Sequence, residues 1–376
     1  MRIHLYTLRL KQHGGGSHQN LMLFARALSK ARHDVVVHAL FAEGNDAPPD
    51  IHLVRERGDE HSFLTLQSFC ASAMKRDETA ADVLLVYGQA LLFAAGMYRR
   101  QGGHVMAAVY LDSHLDSMKE SYRDRSSVSR AKHLLWERTI GRLYVRSVDR
   151  YIAASPYLLE RFARAGFPRE KFVVIPNAFD FSDLSPKQSI DADVSTILYA
   201  GRLSREKGVD VLIDALHRLP RNMQWRAVLA GDGAQRGELE KMIAALKLSD
   251  RIRIAGWQNR AALAQEYASS DMLIVPSRVP EPFGRSIVEA MHAGLPVVVP
   301  SHGGAAWVAG EGGITFENGD SISLAAAIEK LLTGAALRRQ RGEAGKIRAR
   351  DFDVAVVGPM LEAELSNLVA ASTTLS

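Results

Sequence analysis

Short apolar runs of strand length alternate with longer stretches of helical spacing along almost the whole chain, and the alternation breaks once. Before the break, Ile3 to Leu8, Asp34 to Leu40 (DVVVHAL), Asp82 to Gly88 (DVLLVYG), His104 to Ser113 (HVMAAVYLDS) and Arg150 to Ser155 (RYIAAS) read as strands, and Lys171 to Asp180 (KFVVIPNAFD) closes the first half. Asn20 to Lys30 (NLMLFARALSK) carries its apolar residues at helical spacing. Strand, helix and strand in that order give parallel strands joined by a right-handed crossover. The break, FSDLSPKQSIDADV at Phe181 to Val194, is polar, contains proline and has no period, which predicts a linker. The rhythm then restarts with STILYAG (Ser195 to Gly201), the helical GVDVLIDALHRL, WRAVLAG (Trp225 to Gly231), RIRIAG, DMLIVPS and GLPVVVPS.

The expected fold class is therefore α/β, with two Rossmann-like, doubly wound parallel-sheet domains facing across a cleft. The expected limits are residues 1–185 for the first domain and 193–355 for the second, with a closing helix at 356–376 that packs back on the first. A chain of 376 residues with 47% hydrophobic content suits two cores better than one. The single cysteine, Cys70, excludes an internal disulfide framework and a Cys-rich zinc site, and favours a reducing compartment. The first apolar run is too short for a signal peptide, and no uninterrupted apolar stretch approaches the roughly 18 residues of a membrane span. The expected location is cytoplasmic. A net charge of +5 suits an anionic ligand or an anionic membrane surface. No basic-aromatic module is present, so nucleic acid is not an expected partner.

In doubly wound sheets, ligands bind just after the strands, where backbone amides and helix starts converge. Four such segments stand out in the second half. In AGRLSREKG, Ala200 to Gly208, the strand ends at Gly201 and the cations Arg202, Arg205 and Lys207 precede the next helix. Guanidinium forks, an ammonium and helix-end amides match a pyrophosphate. In LAGDGAQRGELE, Gly231 and Gly233 permit a close backbone approach, and a tight turn explains them equally well. In AGWQNR, the Gly256-Trp257 loop follows a strand and suits either contact with a base or a purely structural loop. In PSRVPEPFGRSIVEAMHAGLPVVVPSHGG, Glu281 and Glu289 flank a turn shaped by Pro282 and Gly284, with a helix starting near Arg285 or Ser286. Carboxylates accept hydrogen bonds from paired sugar or ribose hydroxyls.

AGRLSREKG, GDG, PSRVPEPFGRSIVEAMHAGLPVV and, in the first half, VIPNAFD resemble the motif series of the retaining family 4 glycosyltransferases, which have the GT-B fold. The resemblance implies that a UDP- or GDP-linked sugar is the donor substrate, with no cofactor and no bound metal. It implies that Arg202 and Lys207 hold the donor diphosphate, Glu281 contacts the donor-sugar hydroxyls and Glu289 grips the ribose. Phe283, Gly284 and Arg285 lie where family backbone amides meet phosphate and sugar, beside Pro282, Gly201, Gly231, Gly256 and Trp257. The segment after Gly303 and Gly304 departs from the family, with Ala305 and Ala306 in place of the usual Pro-Glu pair.

The first domain is implied to hold the acceptor, a lipid-linked or other saccharide or a small molecule, in glycoconjugate or polysaccharide synthesis at the cell envelope. HGGGSH, His13 to His18, lies where the family places a bare loop facing the donor, through Gly15 and Gly16. It is neither Gly-x-Gly-x-x-Gly, which would need glycine at Gln19 or Asn20, nor a P-loop. Two histidines without a nearby cysteine or carboxylate are poor metal spacing. In VYLDSHLDS, Asp112 and His114 both suit the family's residue near the reacting carbon, and spacing does not choose between them. The basic, aromatic-containing stretch Met118 to Arg150 fits either a peripheral membrane contact at the inner face or a solvated helix pair. Two other readings stay open: a GT-B sugar-nucleotide epimerase that needs no acceptor, and a non-catalytic nucleotide-sugar binder.

Overall fold

A computed structural model describes residues 1–10, 16–42, 52–55, 63–114, 136–182, 184 and 194–373. The chain divides into two compact units, Met1–Phe179 with Val354–Ser376, and Asp180–Asp353.

The first unit is built on seven strands: β1 (Arg2–Leu10), β2 (Asp34–Ala42), β3 (His52–Arg55), β4 (Val83–Tyr87), β5 (Met106–Leu111), β6 (Arg150–Ala153) and β7 (Phe172–Val174). They lie in the order β3-β2-β1-β4-β5-β6-β7, and every pair is parallel. Consecutive residues of β4, Val83 to Tyr87, are all buried. This follows from a parallel sheet covered on both faces, and it is why the sequence runs are continuously apolar instead of alternating. The helices are α1 (Gly16–Lys30), α2 (Phe63–Asp77), α3 (Leu92–Arg100), α4 (Arg142–Ser147) and α5 (Pro156–Arg164).

The second unit has six parallel strands: β8 (Ser195–Ala200), β9 (Trp225–Ala230), β10 (Ile252–Gly256), β11 (Met272–Ile274), β12 (Val297–Pro300) and β13 (Gly313–Phe316). Their order is β10-β9-β8-β11-β12-β13. Its helices are α6 (Val209–Arg218), α7 (Arg236–Ala245), α8 (Arg260–Ala268), α9 (Arg285–Ala293), α10 (Gly304–Ala309), α11 (Ser321–Thr333) and α12 (Ala335–Ala349). Ile197, Leu212, Leu216, Trp225, Ile274 and Ile328 belong to one buried cluster in this unit. In both sheets the strand order reverses beside the first strand, between β1 and β4 and between β8 and β11. Those reversals open crevices at the carboxyl ends of the strands, and both candidate sites lie there.

The last helix, α13 (Val354–Thr373), belongs to the first unit. Val357, Leu361, Leu365 and Leu368 fall on one stripe and are buried, each contributing about 1.5–3 kcal/mol relative to exposure. Gly358 faces α1 so closely that an added Cβ would meet Ala27 at 3.0 Å. Ion pairs tie the helix to the same unit, His33 to Glu362 at 2.8 Å and Arg150 to Glu364 at 2.6 Å. By length and hydropathy alone, Val354–Ser372 could cross a membrane. The stripe of Val357, Leu361, Leu365 and Leu368 packs in the fold, while Val356 and Met360 on the same helix are exposed.

Several elements differ from the sequence reading. Helix α1 begins at Gly16 and not at Asn20, because its first turn is Gly-Ser-His-Gln and carries no apolar period. Strands β3 and β13 went unread; Gly-Ile-Thr-Phe is four residues long and set among glycines, where loop composition hides it. The linker segment lies mostly outside the described residues, as does Met118 to Arg150 up to residue 135.

Candidate active site

In the second unit, β8 runs into Gly201 and a short turn, Arg205–Lys207, before α6. Strand β11 runs into the segment from Pro276 to Glu281. The two segments touch at Gly208, which adopts φ 65°, and where an added Cβ would stand 2.1 Å from the Pro276 carbonyl oxygen. That contact sets Lys207 beside Glu281, and Lys207 Nζ donates to both carboxylate oxygens, at 2.8 and 3.1 Å. The Ser277 hydroxyl also donates to Glu281 Oε1. Glu281 is only 7% exposed, and this ammonium is its paired opposite charge. Its backbone is fixed as well: the carbonyl accepts from Gly304 N at 2.6 Å, and the residue bridges Gly303. Helix α10 starts at Gly304 despite the missing Pro-Glu pair, so that departure does not disturb the helix start.

Gly208→Ala is expected to destabilise the fold by at least about 3 kcal/mol, because backbone meets backbone there and the left-handed φ is strained for alanine. A thermal or urea melt measures it. An unchanged melting temperature would show that the two segments can separate.

Arg202 is different. Its side chain is 77% exposed and only loosely paired with Glu206, at 3.7 Å. An exposed pair at this distance stabilises little, leaving the guanidinium available to an anion. The neighbouring glycines have backbone neighbours: a Cβ on Gly231 would lie 1.8 Å from the Gly201 oxygen, and one on Gly233 would lie 2.4 Å from the Leu203 oxygen. Their bareness lets the ends of β8 and β9 close together. Gly231 also bridges Gly256, and beyond Gly256 the Trp257 ring is 72% exposed. A large indole left in solvent beside a strand end is an open stacking surface.

Helix α9 starts at Arg285 behind Gly284, whose φ is 101°. Phe283 and Gly284 lie just before this helix start and Arg285 is its first residue, and Pro282 shapes the turn half-buried. The Phe283 side chain is not a ligand surface. It is buried and packs edge-on against Trp307 and Phe352, so only its backbone can serve. Glu289 is no helix-surface glutamate either. Its Oε2 accepts from the Tyr267 hydroxyl at 2.9 Å. Burial pushes its carboxyl above the usual range, while Arg285, one turn earlier, and Tyr267 pull it back.

In the first unit, Gly15 and His13 lie outside the described residues, and Gly16 opens α1. A cavity of about 170 Å³ at the ends of β1, β4 and β5 is lined by Ser17, His18, Tyr87, Gly88 and Asp112 among others. Asp112 lines it and His114 does not. His114 instead stands edge-on to Tyr157, with ring centres 5.6 Å apart. Burial raises the Asp112 carboxyl above its usual range, against hydrogen bonds from Ser17, Tyr87 and Ser113.

Sequence reasoning missed Ser277 and Tyr267, which hold the two glutamates; neither carries a signal beyond its place near a motif. It also missed His4, His38 and Asp77, whose ligating atoms lie within 4.8 Å of one another. Burial lowers His4 to about 4, so its imidazole is neutral. Arg76 already clasps Asp77 at 2.8 and 2.9 Å, which weakens the group as a cation site.

Two family profiles match the chain: Glycosyltransferase Family 4 over residues 14–183 and Glycosyl transferases group 1 over residues 180–348. The lipopolysaccharide core biosynthesis glycosyltransferase LpsE of Rhizobium meliloti (strain 1021) is 31% identical over 211 residues, 54% of this chain and 59% of that protein. The alpha-D-kanosaminyltransferase of Streptomyces kanamyceticus is 31% identical over 184 residues, 48% of this chain and 47% of that protein. The match thus spans about half to three fifths of these curated relatives. Among solved structures, Anabaena Alr3699/HepE in complex with UDP superposes with a TM-score of 0.75 at 24% identity, over 98% of this chain and 100% of that one. With profiles matching both units in succession and the fold shared along nearly its whole length, the chain belongs to the group 1, family 4 glycosyltransferases of GT-B fold.

Proposed function

We propose that the chain is a retaining glycosyltransferase that moves a sugar from a nucleotide-diphosphate sugar to an acceptor hydroxyl in glycoconjugate or polysaccharide synthesis. The observation that carries this reading is the Lys207–Glu281 pair at the second unit's switch point, with Arg202 exposed beside it. One locus then offers cations for a diphosphate and a carboxylate for sugar hydroxyls. As the bond from the anomeric carbon to the diphosphate breaks, negative charge grows on the leaving oxygens. Arg202, Lys207 and the first-turn amides of α9 stabilise it, so the chain itself supplies the positive charge the step needs. Glu281 orients the sugar, Glu289 accepts from the ribose hydroxyls, and Trp257 stacks on the base. No protein nucleophile is assigned.

HepE is described in complex with UDP-glucose, which supports a UDP-linked donor here, and LpsE is named for lipopolysaccharide core biosynthesis, which supports an envelope acceptor. The same reading places the enzyme in the cytoplasm, at the inner face of the membrane where its acceptor is lipid-linked. A thermal-shift panel of UDP- and GDP-sugars, followed by product analysis with the donor that binds, tests it. Transfer with retained anomeric configuration is expected. Conversion of the donor without any acceptor would favour an epimerase, and donor binding without turnover across broad acceptors would favour a binding protein.

A further inference from the structure

The cavity at the ends of β1, β4 and β5 lies beside the start of α1. Helix α1 starts on its wall, and a helix start ordinarily attracts an anion through its N–H groups and dipole. Here the protein's own Asp112 carboxyl is hydrogen-bonded by the Ser17 hydroxyl in the first turn. Tyr87 fixes it from the other side. The Tyr87 hydroxyl accepts from Asn20 Nδ2 at 2.7 Å, which leaves its proton to donate to Asp112. The tyrosine ring stacks on Tyr110, with centres 5.0 Å apart, and Asn20 is pinned in turn by Ala178 N at 2.6 Å. Asp112 Oδ2 remains buried with no hydrogen-bond partner among the described residues. A buried acceptor atom in that condition costs about 1–3 kcal/mol until a donor arrives. None of the described lining residues is lysine or arginine.

We infer that this cavity binds an uncharged, hydroxyl-bearing sugar ring of the acceptor, with one hydroxyl donating to Asp112 Oδ2, and that it rejects phosphorylated sugars. The reasoning is one of substitution: a protein carboxyl already stands beside the helix start, so an incoming phosphate meets a like group and, among the described lining residues, no lysine or arginine. An incoming hydroxyl supplies the missing donor. Calling the ligand an acceptor rests on the transferase reading above; the selectivity of the cavity does not.

The test is binding to the full chain without nucleotide, by saturation-transfer difference NMR. The probes are the methyl α-glycosides of glucose, galactose and mannose, set against glucose 6-phosphate, galactose 6-phosphate and mannose 6-phosphate. At least one neutral glycoside is expected to bind the wild type about tenfold or more tighter than its phosphate counterpart. Asp112→Asn, nearly isosteric, should shrink that ratio to within about threefold. Sugar phosphates binding as well as glycosides, no glycoside binding, or an unchanged ratio in D112N would each overturn the inference. The wild-type comparison needs no variant, so a misfolded D112N leaves it decisive. A UDP titration of the same samples reports on the donor reading separately.

Discussion

Lys207→Ala is expected to lower transfer by about 10²–10³-fold, the range for removing one electrostatic stabiliser of a transition state, and to weaken nucleoside-diphosphate binding as well. The same change should destabilise the second unit, because Glu281 is 7% exposed and would lose the ammonium that neutralises it. Breaking a buried pair by removing one partner costs about 3–5 kcal/mol; the Lys207 side chain is 27% exposed, so a loss of about 1–3 kcal/mol is expected here. The double variant Lys207→Ala, Glu281→Ala separates the two effects. It removes the orphaned charge along with its partner, so most of the stability should return while transfer stays abolished. Urea melts and steady-state kinetics on the three proteins measure both. Wild-type turnover in Lys207→Ala would remove this residue from the mechanism.

This pair also shows where the sequence stops being informative. The alternation of strands and helices was legible because parallel strands covered on both faces must be continuously apolar, and β4 and β12 are buried at every residue. The candidate positions after β8 and β11 followed from that alternation. Contact across 74 residues did not. Nothing local says that Lys207 meets Glu281, because the contact is made by Gly208 lying against the Pro276 carbonyl. Gly231 and Gly233 are ambiguous in the same way, since room for a ligand and room for a neighbouring carbonyl demand the same residue. Asp112 and His114 have equal claims by spacing, and only the direction of the chain after β5 sets one of them on the cavity wall. Tyr267 was out of reach altogether, as a tyrosine in a short helix is ordinarily core. Its hydroxyl becomes meaningful only once α8 and α9 are seen to hold it against Glu289.

That last contact separates the roles of the two glutamates. Glu289→Ala is expected to weaken UDP binding about 10–100-fold, consistent with hydrogen bonds to a charged group worth about 1.5–3 kcal/mol. Glu281→Ala should lower transfer about 100-fold or more while leaving UDP affinity within about threefold, because the proposed function has it meet the sugar and not the nucleotide. Tyr267→Phe adds a pH signature. The tyrosine hydroxyl stabilises the charged form of Glu289, which burial already disfavours, so its removal raises the carboxyl further. Protonated Glu289 is the weaker acceptor for ribose hydroxyls. As pH falls, UDP affinity should therefore be lost at a higher pH in Tyr267→Phe than in the wild type, with the two converging at alkaline pH where both carboxyls are ionised. Isothermal titration across the range from mildly acidic to alkaline pH reads the displacement directly. A uniform loss of affinity at all pH values would mean that Tyr267 only shapes the pocket. If UDP binding in Glu281→Ala fell as far as transfer, the division between sugar and nucleotide would be wrong.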